Sequence, residues 1–229
     1  MKKGLAALGA ALLVMLGASC ALAAGQATIT QQMAQTYSYY DTHYAYYFAQ
    51  IENTGDVPIL LDSGNLEFYD AEGQTIYQTS VYAFYPAVLG PGERAVVREY
   101  TNLDAPDALA SFKFDLSARE ASAGSIVYVN CAGSFSQMAL SDTEYMTTIT
   151  AAITNDQADM LRNMMIVYTL YDAEGKLIFV DTLSPNFLSV YPGSTVELST
   201  TVDEEIETTW RERGIKPASA YVYAYVAAD

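Results

Sequence analysis

Two acidic pentapeptides are the first place in this sequence to look for chemistry. Tyr-Asp-Ala-Glu-Gly occurs at Tyr69–Gly73 and again at Tyr171–Gly175. Each copy puts two carboxylates within one turn. A Ca²⁺ site needs about six to eight oxygens, and the paired acids of a glycosidase face each other across a cleft, so a tight turn suits neither. We therefore predict structural turns in which the Asp accepts backbone N–H bonds and the Gly supplies a positive φ. These turn motifs comprise Tyr69, Asp70, Gly73, Tyr171, Asp172 and Gly175.

Other candidates for catalysis or metal binding are few. His43 is the only histidine, which excludes a His-rich metal site, and no nucleophile motif lies near it in sequence, so we interpret it as a surface strand residue. Cys131 lies in an apolar stretch and is interpreted as a buried strand thiol rather than a nucleophile. The sequence contains no recognisable nucleophile–base pair or phosphate-binding loop. We predict a protein that is not an enzyme, with no catalytic residues, metal site or cofactor.

Tyrosines offer a different kind of chemistry, namely ligand binding. The chain has 19 of them, and Tyr221, Tyr223 and Tyr225 alternate with small apolar residues. In a strand these three rings share one face, about 7 Å apart, where they could stack on a sugar or grip a peptide. They form the candidate binding surface. The same alternation also fits tyrosines that line the sandwich core or the seam between domains, and this second interpretation is favoured.

The first residues have the layout of a secretory signal peptide. Two lysines precede an apolar run at Leu5–Leu16, and Ala21–Ala23 forms a cleavage site. We predict that residues 1–23 are removed and that the mature protein is secreted or at the cell surface. No later stretch supplies the roughly 20 apolar residues of a membrane span. Lipid attachment at Cys20 is an alternative, although Gly17 stands where lipoprotein signals usually have Leu.

The net charge of the chain limits the classes of partner that it can bind. Acidic side chains outnumber basic ones by 27 to 11, which gives a formal charge of −16. Phosphate backbones and anionic lipid surfaces repel so acidic a chain, so we predict no nucleic-acid partner. The net charge does not determine the oligomeric state.

The pentapeptides belong to a longer internal repeat. Asn53 precedes Tyr69 by the same number of residues as Asn155 precedes Tyr171, and a Pro-Gly pair follows each pentapeptide. Matching landmarks in the same order across about a hundred residues indicate a duplication.

Each repeat carries the signals of short strands. Aromatic and β-branched stretches alternate with Asp/Gly and Pro-Gly turns at roughly ten-residue spacing, a pattern typical of immunoglobulin-like sandwiches. We predict an all-β chain of two tandem immunoglobulin-like β-sandwich domains, residues 24–118 and 125–229, joined by a linker at 119–124. At most one or two short helices are expected. Asp203–Gly214 is the best candidate, with acids at its start and arginines near its end.

The residues around the two pentapeptides resemble a known signature. Tyr168–Asp172 and Leu66–Asp70 are similar to the motif of FxLYD-type domains, a family of secreted or surface-attached bacterial β-sandwiches. The first copy departs in having Leu66 and Phe68 where the motif has Phe and Leu, and the second has Tyr168 at the first aromatic position. The resemblance implies an accessory or binding module and brings no catalytic residues with it.

Two functions follow as expectations. The first is a non-catalytic secreted or cell-surface module that binds an extracellular protein, peptide or glycan. The alternative is a structural spacer of the cell envelope with no small-molecule ligand.

Overall fold

The chain is built almost entirely of antiparallel strands. The computed structural model describes residues 25–105, 108–121, 126–141, 144–186 and 188–227. Across these ranges the elements are strands and one short helix, so the predicted all-β class is confirmed. The predicted signal peptide at 1–23, with Cys20, lies outside the described residues. Within them, no helix has the length and apolar character to cross a membrane.

The first half of the chain forms two antiparallel sheets that face each other. Strands β1, β2 and β6 make one sheet, while β4, β3 and β7 make the other, and β5 pairs with the first residues of β3. The strand β7 includes Arg119 and Glu120, which the sequence placed in the linker. The elements are β1 (Ala27–Tyr39), β2 (Thr42–Asn53), β3 (Ile59–Tyr69), β4 (Thr75–Val81), β5 (Val88–Leu89), β6 (Arg94–Leu103) and β7 (Ser111–Glu120).

The second half repeats this order of strands, with a helix added and a different path for its first strand. Its elements are β8 (Ile126–Ala139), β9 (Tyr145–Thr154), β10 (Met164–Tyr171), β11 (Leu177–Leu183), β12 (Thr195–Thr201), α1 (Glu204–Arg213) and β13 (Ser219–Ala227). Sheets β8-β9-β12 and β11-β10-β13 correspond to the two sheets of the first half. The long β8 pairs with β13 over Ile126–Val129 and then with β9 over Asn130–Ala139. It thereby joins the two sheets into one path of six strands.

The helix α1 begins and ends where the sequence signals indicate. Asp203 takes the N-cap position, and acidic residues fill the first turn, where they complement the helix dipole. Gly214 follows Arg213 in the left-handed conformation, with φ of 70°, and its N–H bonds to carbonyls of the last turn. The helix lies between β1 and β9.

A buried asparagine makes the same hydrogen bonds in both halves. Asn53 donates its side-chain amide to the carbonyls of Val57 and Leu89, at 2.9 and 3.0 Å, and its Oδ1 accepts the N–H of Gly55. Asn155 donates to two carbonyls at 2.8 Å and accepts a backbone N–H at 3.0 Å in the equivalent places. Both are fully buried, and each ties together the loops at one end of its sheets.

The strand β2 is buried on both faces. Ala45, Tyr47 and neighbouring residues of one face pack into the core of the first half. Tyr46 and Phe48, on the opposite face, pack into the core of the second half together with Val96 of β6. We call the contact between the two halves the seam.

Candidate functional site

Both pentapeptides form tight turns held by their own aspartate. Asp70 accepts the N–H groups of Glu72 and Gln74, at 3.1 and 2.7 Å, and Asp172 accepts the equivalent two at 3.0 and 2.8 Å. Gly73 and Gly175 have φ of 79° and 76°. The Asp oxygens are thus engaged with the backbone. Within the described ranges, no group of three or more His, Cys, Asp or Glu side chains is placed to hold a metal ion.

The second pentapeptide has an additional role, because it contacts the first half. The hydroxyl of Tyr171 donates to Oε1 of Gln50 at 2.7 Å. Gln31 of β1 bonds the same turn twice: its Nε2 donates to the carbonyl of Gly175 at 3.1 Å, and its Oε1 accepts the N–H of Leu177 at 2.6 Å. The Tyr69 hydroxyl, in contrast, donates within its own strand to Glu67. The repeated motif therefore belongs to the seam in the second copy alone.

His43 and Cys131 both lie on strands. The Nδ1 atom of His43 is 2.8 Å from the hydroxyl of Ser38 across the β1–β2 hairpin, and the side chain is partly exposed. Cys131 lies on β8 against the core of the second half. Burial raises the pKa of its thiol to about 11, so the thiol is protonated at neutral pH and is a poor nucleophile.

The three tyrosines of β13 share one face, and their environments differ. Tyr223 lies between the other two, with ring centroids 5.6 Å from Tyr221 and 6.5 Å from Tyr225. Tyr221 is 57% exposed, whereas Tyr223 is 8% exposed. The hydroxyl of Tyr223 donates to the carbonyl of Tyr85 in the first half, at 2.5 Å. The row therefore runs from solvent at Tyr221 into the seam at Tyr223.

Where the seam opens, it forms a groove with a volume of about 610 Å³, which we call the tyrosine groove. Strands β10 and β13 contribute Thr169, Tyr171, Ser219, Tyr221 and Tyr223, which form its floor. This floor is the outer face of the sheet, because the intervening residues Val222 and Ala224 are buried in the core.

The wall of the tyrosine groove comes from the first half, and Tyr128 of β8 stands beside it. Gln50, Gly92, Glu93, Arg94 and Val96 form the wall. The Nε atom of Arg94 bonds Glu52 at 2.9 Å, and the side chain is 59% exposed, so the rest of its guanidinium is open to a ligand. Val96, at 2% exposed, presents almost no surface.

Two tyrosines of the groove, Tyr223 and Tyr128, remain neutral. Burial raises the pKa of Tyr223 well above its ordinary value, and burial followed by the charge of Glu93 raises the pKa of Tyr128. Their hydroxyls are therefore protonated across the physiological range, and they already bond the carbonyl of Tyr85 and the side chain of Glu93, respectively. The groove thus combines aromatic surface, hydroxyls, one carboxylate and one guanidinium.

Sequence reasoning found one strand of this site and missed the rest. The alternation of Tyr221, Tyr223 and Tyr225 places three rings on one face, but Tyr225 does not line the groove. Glu93, Arg94 and Tyr128 come from distant positions and carry no local signal. One signal was present: β2 is apolar at Tyr46 and Phe48 and also at the alternate positions Ala45, Tyr47 and Ala49, as in a strand buried on both faces.

Comparisons with known proteins give no identification. No family model matches the chain, and no curated protein matches it. The resemblance to FxLYD-type domains therefore stays a prediction.

Solved structures show only faint likeness to the chain. It is similar to red sea bream transglutaminase at 11% identity and a TM-score of 0.23, over 77% of this chain and 27% of that one. The CBM22-1–CBM22-2 tandem domain from Paenibacillus barcinonensis Xyn10C matches at 8% identity and a TM-score of 0.17, covering 92% and 93% of the two chains. Procruciferin, the 11S globulin from Brassica napus, matches at 9% identity and a TM-score of 0.12, covering 88% and 85%. The chain spans about a quarter of the transglutaminase, and these scores carry no functional argument.

Proposed function

We propose that this protein is a non-catalytic secreted or cell-surface module that binds an extracellular ligand in the tyrosine groove. The observation that carries the proposal is the groove itself, a concave space of about 610 Å³ where the two halves meet. Binding sites for small ligands commonly have about this volume and lie at domain interfaces. The signal-peptide layout of the first residues supports the extracellular address.

The proposal includes the organisation of the chain. We infer that residues 24–118 and 125–229 are two copies of one β-sandwich module, since their strands follow the same order and their buried asparagines make the same bonds. Neither module forms the groove alone, because the floor belongs to one and the wall to the other. A ligand in the groove would contact both.

Blocking the groove tests the proposal. We would probe glycan and peptide arrays with the mature protein and with Ser219→Trp, whose indole would fill the floor. Ser111→Trp is the matched control, since Ser111 pairs with Tyr69 as Ser219 pairs with Tyr171, on a strand that does not line the groove. We expect array signals that Ser219→Trp abolishes and Ser111→Trp retains. Blank arrays, or signals that survive Ser219→Trp, would contradict the proposal.

A spacer role is the second candidate, and the seam favours it. Arg98 of β6 bonds Asp181 of β11 at 2.8 Å, and Trp210 of α1 donates to Gln35 of β1 at 3.3 Å. Such contacts hold two modules in a fixed orientation, as a rigid spacer requires. Blank arrays would favour this alternative.

A further inference from the structure

We propose that the tyrosine groove takes a neutral oligosaccharide. This inference names the ligand class of the same groove, so it rests on the proposed binding function. Four properties of the groove support this inference: its apolar surface is aromatic, its polar groups both donate and accept hydrogen bonds, its charge disfavours acidic ligands, and the strands of its floor are paired with each other.

The apolar surface of the groove is aromatic. Tyr221 and Tyr128 are 57% and 39% exposed, whereas Val96 is 2% exposed. An aliphatic peptide side chain would therefore find no aliphatic pocket. A pyranose ring presents a flat face of C–H bonds, which packs well on the face of a tyrosine ring, and tyrosine adds a polar tip for the hydroxyls at the ring edge.

The polar groups suit ligands that both donate and accept hydrogen bonds. The Glu93 carboxylate accepts, the free guanidinium nitrogens of Arg94 donate, and the hydroxyl of Ser219 does both. Glu93 already accepts the N–H of Gly90, at 2.7 Å, and also hydrogen-bonds the side chain of Tyr128, and these bonds fix the orientation of its carboxylate. Sugar hydroxyls are matched to this mixture, since each one donates once and accepts from its neighbours.

The charge of the groove selects against acidic ligands. Glu93 lines the groove, and Glu52 pairs with Arg94 just outside the lining, so two carboxylates stand against one guanidinium. The whole chain carries −16. A uronic acid or a phosphorylated ligand would be repelled, whereas a neutral sugar would not.

The two strands of the floor are paired with each other. Strands β10 and β13 are in antiparallel register from Met164 with Val226 to Tyr171 with Ser219. A peptide strand lying on this face would meet side chains rather than backbone N–H and C=O groups. The face favours a ligand recognised through its rings and hydroxyls.

Calorimetric titration with defined sugars tests the inference. The probes are cellotetraose, maltotetraose, mannotetraose and chitotetraose, with tetragalacturonate as the acidic counterpart. We expect at least one neutral tetrasaccharide to bind and tetragalacturonate not to bind. Tyr221→Ala should weaken that binding by about tenfold or more, and Tyr221→Phe, which keeps the ring, by no more than about threefold. Tyr82→Ala is the matched control, because Tyr82 is 71% exposed and lies outside the groove.

The possible failures are distinguishable. Sugar binding that is unaffected by Tyr221→Ala would overturn the groove as the sugar site. Peptide signals that depend on Ser219, together with no binding of any neutral sugar, would overturn the ligand class and leave the binding function standing. Preference for tetragalacturonate would overturn the charge argument. The absence of any ligand on arrays and in titrations would overturn both proposals.

Discussion

Asn53 and Asn155 are fully buried polar side chains, and each connects separate segments of its half by hydrogen bonds. Each uses both amide hydrogens and its carbonyl oxygen in hydrogen bonds that no apolar side chain could replace. Their partners are backbone groups, two of them close in sequence and one of them 36 residues away for Asn53 and 35 residues away for Asn155. These bonds satisfy buried polar groups that would otherwise lack partners.

Replacing Asn53 with alanine should therefore destabilise the protein. We expect Asn53→Ala to lower the free energy of unfolding by roughly 2–4 kcal/mol, because it leaves the carbonyl of Leu89 and neighbouring groups without their donor. Urea unfolding followed by circular dichroism measures the change. The control is Asn102→Ala, an exposed asparagine on β6, which should stay within about 0.5 kcal/mol. Equal effects of the two variants would contradict the role of Asn53.

At the scale of elements, strand alternation and turn chemistry could be predicted from the sequence, and pairing between distant strands could not. The Asp-Gly and Pro-Gly turns mark strand ends because particular residues satisfy particular backbone geometries. The helix predicted at Asp203–Gly214 is observed at Glu204–Arg213 for the same reason. The change of partner along β8, from β13 to β9, depends on tertiary packing and leaves no local trace. The wall of the tyrosine groove also depends on tertiary packing, so it could not be predicted from the sequence.

The docking of α1 depends on a buried carboxylate. Glu207 accepts the N–H of Thr147 on β9, and burial raises the pKa of Glu207 above its ordinary value. The folded protein therefore binds this proton more readily than the unfolded chain does. Stability should accordingly rise as pH falls through the window between the two pKa values. Burial also raises the pKa values of Glu99 and Asp203, so these two carboxyl groups change the stability with pH in the same direction.

Melting temperatures across pH test this element. We expect the wild-type Tm to be higher at pH 5.5 than at pH 8. Glu207→Gln keeps an acceptor for the Thr147 N–H and removes the titrating group. It should therefore reduce the difference between the Tm values at pH 5.5 and pH 8. Glu212→Gln, an exposed position on the same helix, should leave the difference unchanged. A wild-type Tm that falls on acidification over this range would refute the expectation.

Over the whole molecule, the seam makes the stability of one half depend on the other. The ring centroids of Phe48, on β2, and Phe179 are 6.2 Å apart. The Phe179 ring is in turn perpendicular to the Trp210 ring, with their centroids also 6.2 Å apart. The guanidinium of Arg98 lies over the Tyr46 ring, 5.6 Å from its centroid, and pairs with Asp181. Burial of such rings contributes about 1.5–3 kcal/mol for each side chain. The halves should therefore unfold together.

Breaking the ion pair of the seam tests this coupling. We expect wild type to unfold in one calorimetric transition, and Asp181→Ala to lower stability by about 1–3 kcal/mol because Arg98 is left partly buried without its partner. Asp115→Ala breaks an exposed ion pair with Lys113 and should produce no measurable change. Two independent transitions in wild type would show that the seam does not couple the halves.

The double burial of β2 has a consequence for how many such units can stack. The first half offers aromatic Tyr46 and Phe48 to its neighbour, and the equivalent positions of β9 are the half-buried threonines Thr148 and Thr150. Thr150 is bonded to Ser199 of β12, at 2.9 Å. The corresponding face of the second half is therefore polar, like the outer face of a capping repeat in a solenoid, and would bury little apolar surface against another unit. Head-to-tail growth into a filament, the hazard of an interface that joins unlike faces, is thereby blocked at one end.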